Sequence, residues 1–128
     1  MALKLRLYKC NICGNIVQVL LDGAGELVCC GEVMELLEAK TVDAGGEKHV
    51  PVISNNAEGY SVVKVGSEPH PMTDEHYIQF IETQSNDKSK IYIEFLKPNQ
   101  EPKIQTSIDV CKALEYCNIH GLWENNND

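Results

Sequence analysis

The apolar positions of this chain change their spacing along its length, and the changes divide it into two parts. Near the start, Leu3, Leu5 and Leu7 alternate with Lys4 and Arg6, the period-two pattern of a half-buried strand. Cys10-Asn11-Ile12-Cys13-Gly14 reads as a tight turn and residues 16–21 as a second strand. Asp22-Gly23-Ala24-Gly25 is a hairpin signal that returns the chain to Cys29-Cys30-Gly31. Residues 1–36 are thus predicted to form a two-turn β module, too small to hold together without a staple. A transition segment at 34–46 ends in Gly45-Gly46. Beyond it, runs rich in β-branched and aromatic residues occupy 49–54, 60–65, 76–83, 90–96 and 104–110. Turn-type stretches at 54–59, 85–88 and 98–102 separate them. This rhythm, with no convincing amphipathic helix, predicts an all-β chain with a β-sandwich over 37–128. Residues 112–116 fit either a strand or a helical turn, and the polar tail at 124–128 is expected to fray.

Composition narrows the partners. A hydrophobic fraction of 43% over 128 residues supports a globular core. The net charge is −8, Arg6 is the only arginine, and no cluster of Lys and Arg marks a polyanion-binding face. Nucleic acid is therefore excluded as an expected partner. No apolar run approaches the ~20 residues that span a bilayer, and Met1-Ala2-Leu3-Lys4 lacks a signal-peptide core. A cytoplasmic location is expected, with no membrane association. Six cysteines in such a chain point to metal or redox chemistry rather than disulfides. Four of them precede residue 31, whereas all four histidines lie beyond residue 45, so two sites of different chemistry are expected.

Cys10-x2-Cys13 and the adjacent pair Cys29-Cys30 form the first set, each knuckle followed by a glycine, Gly14 or Gly31. Four thiolates around one ion make a tetrahedral site suited to zinc or iron, and binding would supply the folding energy that a small β module lacks. The spacing does not choose between the two metals. Neighbouring side chains on a strand point to opposite faces, so the backbone at Cys29-Cys30 must bend sharply if both sulfurs are to reach one ion.

The second set is Glu47-Lys48-His49-Val50-Pro51, His70-x5-His76 and Cys117-Asn118-Ile119-His120-Gly121-Leu122-Trp123. Any one of these histidines alone is more often a packed or surface residue than a ligand. Cys117-x2-His120 is more specific, because that spacing lets a thiolate and an imidazole reach one ion. With every histidine drawn in, a single multi-imidazole site is the economical reading. Cys111 fits no motif and is read as a packed thiol, and Trp123 and Tyr77 as packing around the ligands rather than redox relays.

These motifs, together and in this order, resemble the desulfoferrodoxin family of two-iron superoxide reductases over essentially the whole chain. The resemblance implies a rubredoxin- or desulforedoxin-like β module followed by an immunoglobulin-like, seven-stranded sandwich. It implies two iron ions per chain: one held by Cys10, Cys13, Cys29 and Cys30, the other by His49, His70, His76 and His120 in the equatorial plane with Cys117 axial. The position opposite the sulfur would be open in the ferrous state and taken by Glu47 in the ferric state. Superoxide as substrate, a rubredoxin-like electron donor and a homodimer are implied in the same way.

Those implications fit the chemistry. Four neutral imidazoles and one thiolate leave a ferrous centre with formal charge +1, which attracts an anion. Lys48, beside the open position, would steer superoxide against the overall negative charge. Glu47, following Gly45-Gly46, would swing on and off the metal. Three other functions compete: a pure electron carrier with a saturated second site, a zinc-stapled interaction module, and a superoxide dismutase.

Overall fold

Every regular element among the described residues, 2–42, 49–66 and 70–125 of the computed structural model, is a β-strand. The chain divides into two units, Met1–Glu38 and Ala39–Asp128.

In the first unit the strands are β1 (Leu7–Lys9), β2 (Ile16–Gln18), β3 (Val28–Cys29), β4 (Glu32–Val33) and β5 (Glu35–Leu36). Strand β1 is central, antiparallel to β2 on one side and β5 on the other, while β3 and β4 form a separate hairpin. The Leu3-Leu5-Leu7 alternation is not a strand. The Asp22 carboxylate takes the Lys4 N–H and the Val19 carbonyl takes the Leu5 N–H, so the chain turns at Leu5, whose φ is 65°. Leu7 and Tyr8 are buried instead. The segment at 22–25 reverses the chain without joining paired strands, because Gly23 spends its backbone groups on Ala2 at 3.1 and 3.2 Å. The core comprises Ala2, Tyr8, Cys10, Val19 and Met34, with Leu27, Cys29 and Leu36 against it.

The second unit contains β6 (Pro51–Asn55), β7 (Ser61–Val65), β8 (Ile78–Ser85), β9 (Ile91–Phe95), β10 (Lys103–Thr106), β11 (Val110–Cys117) and β12 (Gly121–Glu124). They make a three-stranded sheet, β10-β7-β6, and a four-stranded sheet, β12-β11-β8-β9, antiparallel throughout. This is the expected seven-stranded sandwich. Alternation places Ser61, Val63 and Val65 of β7 inward while Lys64 faces out. Val63, Val65, Ile78, Ile81, Leu96, Ile104, Ala113 and Cys117 form the core between the sheets.

The run at 104–110 is two strands rather than one. Ser107-Ile108-Asp109 carries the chain from the first sheet to the second, and the Ser61 and Thr106 hydroxyls accept the Val110 and Ile108 N–H groups there. Residues 112–116 belong to β11. Cys111 is exposed, not packed: it is the extra residue of a bulge between Val110, opposite Ser85, and Lys112, opposite Gln84.

Candidate metal centres

The first centre is made of two loop tips. After β1 the chain closes a loop in which the Cys10 N–H donates to Asn15 O at 2.8 Å and the Gly14 N–H to Cys10 O at 3.0 Å. Gly14 has φ 86°, a conformation that favours glycine. The fold turns the Cys13 N–H onto Cys10 Sγ at 3.4 Å. In the β3–β4 hairpin Val28 faces Val33 and Cys29 faces Glu32, leaving Cys30-Gly31 as a two-residue loop. Both loop residues have positive φ, 54° and 78°, the geometry of a type I′ turn. This resolves the problem of the adjacent cysteines, because the left-handed turn at Cys30 brings its sulfur back to 3.9 Å from that of Cys29. Cys13 and Cys29 sulfurs are 3.6 Å apart.

Sulfurs about 2.3 Å from a tetrahedral ion stand ~3.8 Å from one another. The four sulfur atoms here lie within 4.8 Å of one another, and all four cysteines are free. The residues fit a thiolate-bound ion. Amide donors from Cys13 and Ile12 hold the Cys10 thiol down to about 6. The Cys13 and Cys10 sulfurs, with some burial, push Cys29 up to about 12, and the same two neighbours raise Cys30. One thiolate thus stands ready to anchor a cation, and proton loss from Cys29 and Cys30 accompanies binding.

The second centre gathers residues from four places in the sandwich. His49 precedes β6, His70 and His76 lie on the loop before β8, Cys117 ends β11, and His120 sits in the turn to β12, where Gly121 has φ 83°. One ligand atom from each of the five lies within 4.8 Å of the others. The imidazoles close a ring: centroids are 4.6 Å apart for His49–His70, 4.8 Å for His70–His76, 5.0 Å for His76–His120 and 4.7 Å for His49–His120. Successive rings are inclined at 62–84°, like blades about one axis.

His49 Nε2 and His120 Nδ1 are 3.1 Å apart, as neighbouring donors to one ion are when bonds are ~2.1 Å. Cys117 Sγ lies 3.9 Å from the same His120 nitrogen. His70 Nδ1 donates to the Pro71 carbonyl at 2.7 Å, which keeps the proton off Nε2 and frees that nitrogen as a ligand. Cys117 is fully buried, and His49 and His70 are almost so. A mixed set of imidazoles and one thiolate suits iron or another borderline ion.

The structure therefore brings Cys10, Cys13, Cys29 and Cys30 into one cluster and His49, His70, His76, Cys117 and His120 into another. Glu47 and Lys48 lie outside the described residues. Trp123 stacks on the His49 ring, 4.7 Å between centroids and 13° between planes. Asn118 was not singled out from the sequence, yet it ties two ligand segments together. Its Oδ1 accepts the Tyr77 N–H at 3.0 Å and its Nδ2 donates to Glu75 O at 3.0 Å, linking the His76 segment to the Cys117–His120 turn. Its place between two ligands in Cys117-Asn118-Ile119-His120 was the available signal.

Comparison with known proteins gives a consistent set of relatives. Residues 41–126 match the desulfoferrodoxin family model, and residues 2–37 match the model of the desulfoferrodoxin N-terminal domain. The desulfoferrodoxin of Desulfarculus baarsii is 53% identical over 126 residues, covering 97% of this chain and 98% of that protein. The desulfoferrodoxin of Syntrophotalea carbinolica is 53% identical over 125 residues, covering 96% and 97%. Among solved structures, the superoxide reductase of Treponema pallidum superposes with a TM-score of 0.78 at 27% identity, covering 96% of this chain and 98% of that one.

Proposed function

This chain belongs to the desulfoferrodoxin family, and on that premise we propose that it is a superoxide reductase carrying two irons. Residues 1–36 form the desulforedoxin-like iron domain and 37–128 the catalytic domain. The observation that carries the reading is the closed ring of four imidazoles with one buried thiolate beside it. Such a set supplies five donors, one fewer than an octahedral ion takes, and so leaves room for a small anion.

Iron bound there supplies the one electron that superoxide accepts; with two protons the product is hydrogen peroxide. The chain's own residues set the conditions. The Pro71 carbonyl fixes the His70 tautomer, the Asn118 amide holds two ligand segments in register, and the Trp123 indole braces the His49 ring. Neutral imidazoles keep the donor set at a single negative charge, so an anionic substrate is not repelled by its own binding site. Lys48 is assigned to steering superoxide inward, and Glu47 would serve as a further carboxylate donor to the oxidised ion. An external donor of the rubredoxin type returns the electron, and the protein acts as a homodimer in the cytoplasm, detoxifying superoxide. Among the described residues no helix is long and apolar enough to cross a membrane.

The test is a superoxide pulse delivered to the anaerobically reduced protein. A reductase forms one peroxide per superoxide consumed and releases no dioxygen. A dismutase would yield half as much peroxide with an equal amount of dioxygen, and a saturated electron carrier would leave superoxide to the slower uncatalysed dismutation, with the same two products in the same ratio; either result overturns the proposal.

A further inference from the structure

The segment ahead of β6 brings a cation, Lys40, to the edge of the imidazole cluster. Lys40 is clipped to β12 through its backbone: its N–H donates to Leu122 O at 3.0 Å, and its carbonyl accepts the Glu124 N–H at 2.9 Å. That pairing lays it parallel to β12, opposite Trp123. From there its Nζ donates to the His120 carbonyl at 3.0 Å and stands 5.0 Å from the centroid of the Trp123 ring. The same carbonyl accepts the Trp123 Nε1–H at 3.2 Å. The nearby Glu124 carboxylate turns to Lys112 at 2.9 Å.

The geometry points to Lys40 as a positioning residue of the second centre, acting through Trp123 and the His120 carbonyl on two of the metal ligands. An ammonium, an indole and an imidazole follow one another from Lys40 to His49, while the ammonium and the indole N–H together grip the peptide oxygen of His120. An exposed lysine ordinarily spends its charge on water. This one is fixed by two backbone bonds at its root and two contacts at its tip, so its charge is held beside the ligand ring. A fixed positive charge there disfavours the more highly charged oxidised metal and favours the approach of an anion, against a chain whose net charge is −8. Lys40 lay in the transition segment of the sequence, where no spacing or motif marked it.

This inference rests on the superoxide reductase reading, but most of its test does not. Trp123 is the only tryptophan, so its emission in the metal-free protein reports directly on the ammonium over its ring. Lys40→Met is expected to change that emission and to lower the reduction potential of the second centre. It should also slow superoxide consumption about twofold to fivefold, with metal content unchanged. Lys40→Arg, which keeps the cation, should restore all three. Wild-type emission and potential in Lys40→Met would overturn the assignment, as would a loss of bound metal that Lys40→Arg fails to repair. If the wild-type protein makes no peroxide from superoxide, the functional reading fails while emission and potential still judge Lys40. If it does make peroxide and Lys40→Met changes nothing, the Lys40 assignment alone fails.

Discussion

The two centres are built on opposite plans. The first draws all its sulfurs from two loop tips between residues 10 and 30, and two of them, Cys10 and Cys29, also belong to the small apolar cluster of that unit. The second collects its donors between residues 49 and 120, from the rim of a sandwich whose core of Val63, Val65, Ile81, Leu96 and Ile104 takes no part in ligation. Only Cys117 belongs to both the second donor set and that core. In the first unit the ligands are part of what little core there is, and Val28 and Val33 of the hairpin remain 61% and 62% exposed. The contrast separates two uses of a metal. An ion in the first would complete a fold too small to stand alone; an ion in the second would be placed by a core that contributes no donor but Cys117.

The largest expected effect comes from removing the first staple. Cys10→Ala should strip the first centre and unfold Met1–Glu38, because binding of a structural ion is worth on the order of 10 kcal/mol. Limited proteolysis read by mass spectrometry should then cut within the first unit and spare the second. Equal resistance of both units would mean that the metal is not what holds the first together.

A smaller effect sharpens the other side. Ile81→Ala, at a fully buried core position, should cost the second unit ~2–5 kcal/mol. Its thermal transition should fall while that of the first unit stays in place. Two transitions falling in parallel would show that the units are not independent in stability.

A graded perturbation of the first centre is pH. Cys10 is held down to about 6 and is a thiolate at neutrality, whereas Cys29, raised to about 12, and Cys30, also raised, keep their protons until a cation displaces them. Binding that releases at least these two protons should weaken by at least about a hundredfold for each unit of falling pH. The slope should steepen below about 6, where Cys10 takes up a proton as well. Competition with a chromophoric chelator between pH 8 and 5 measures this, and a flat profile would refute it.

Much of this architecture was legible in the sequence because it rests on local rules. Alternation at Ser61–Val65 and the turn residues around Asn56 and Asp87 mark strands and their ends. The grouping of Cys10, Cys13, Cys29 and Cys30 could be read from spacing because few residues separate them. What escaped reading depends on partners distant in the chain. Leu3 and Leu5 follow a strand pattern, but Asp22 and Val19 claim the backbone there. The crossing at Ser107-Ile108-Asp109 is invisible in an apolar run that continues through it. Cys111 has the composition of a core residue, yet the bulge turns it to solvent. Asn118 and Lys40 act on ligand segments reached only once the sandwich has closed.

The separation of the donors also sets an order of events during synthesis. A ribosome makes the chain from its amino end, and domains tend to fold as they emerge. Once Cys30 has appeared, the first centre possesses every sulfur it needs, whereas the second must wait for His120. Throughout that interval a nascent chain can capture metal at one address only. The thiolate site can therefore be filled, and its hairpin closed, before the imidazole ring exists to compete for the same supply.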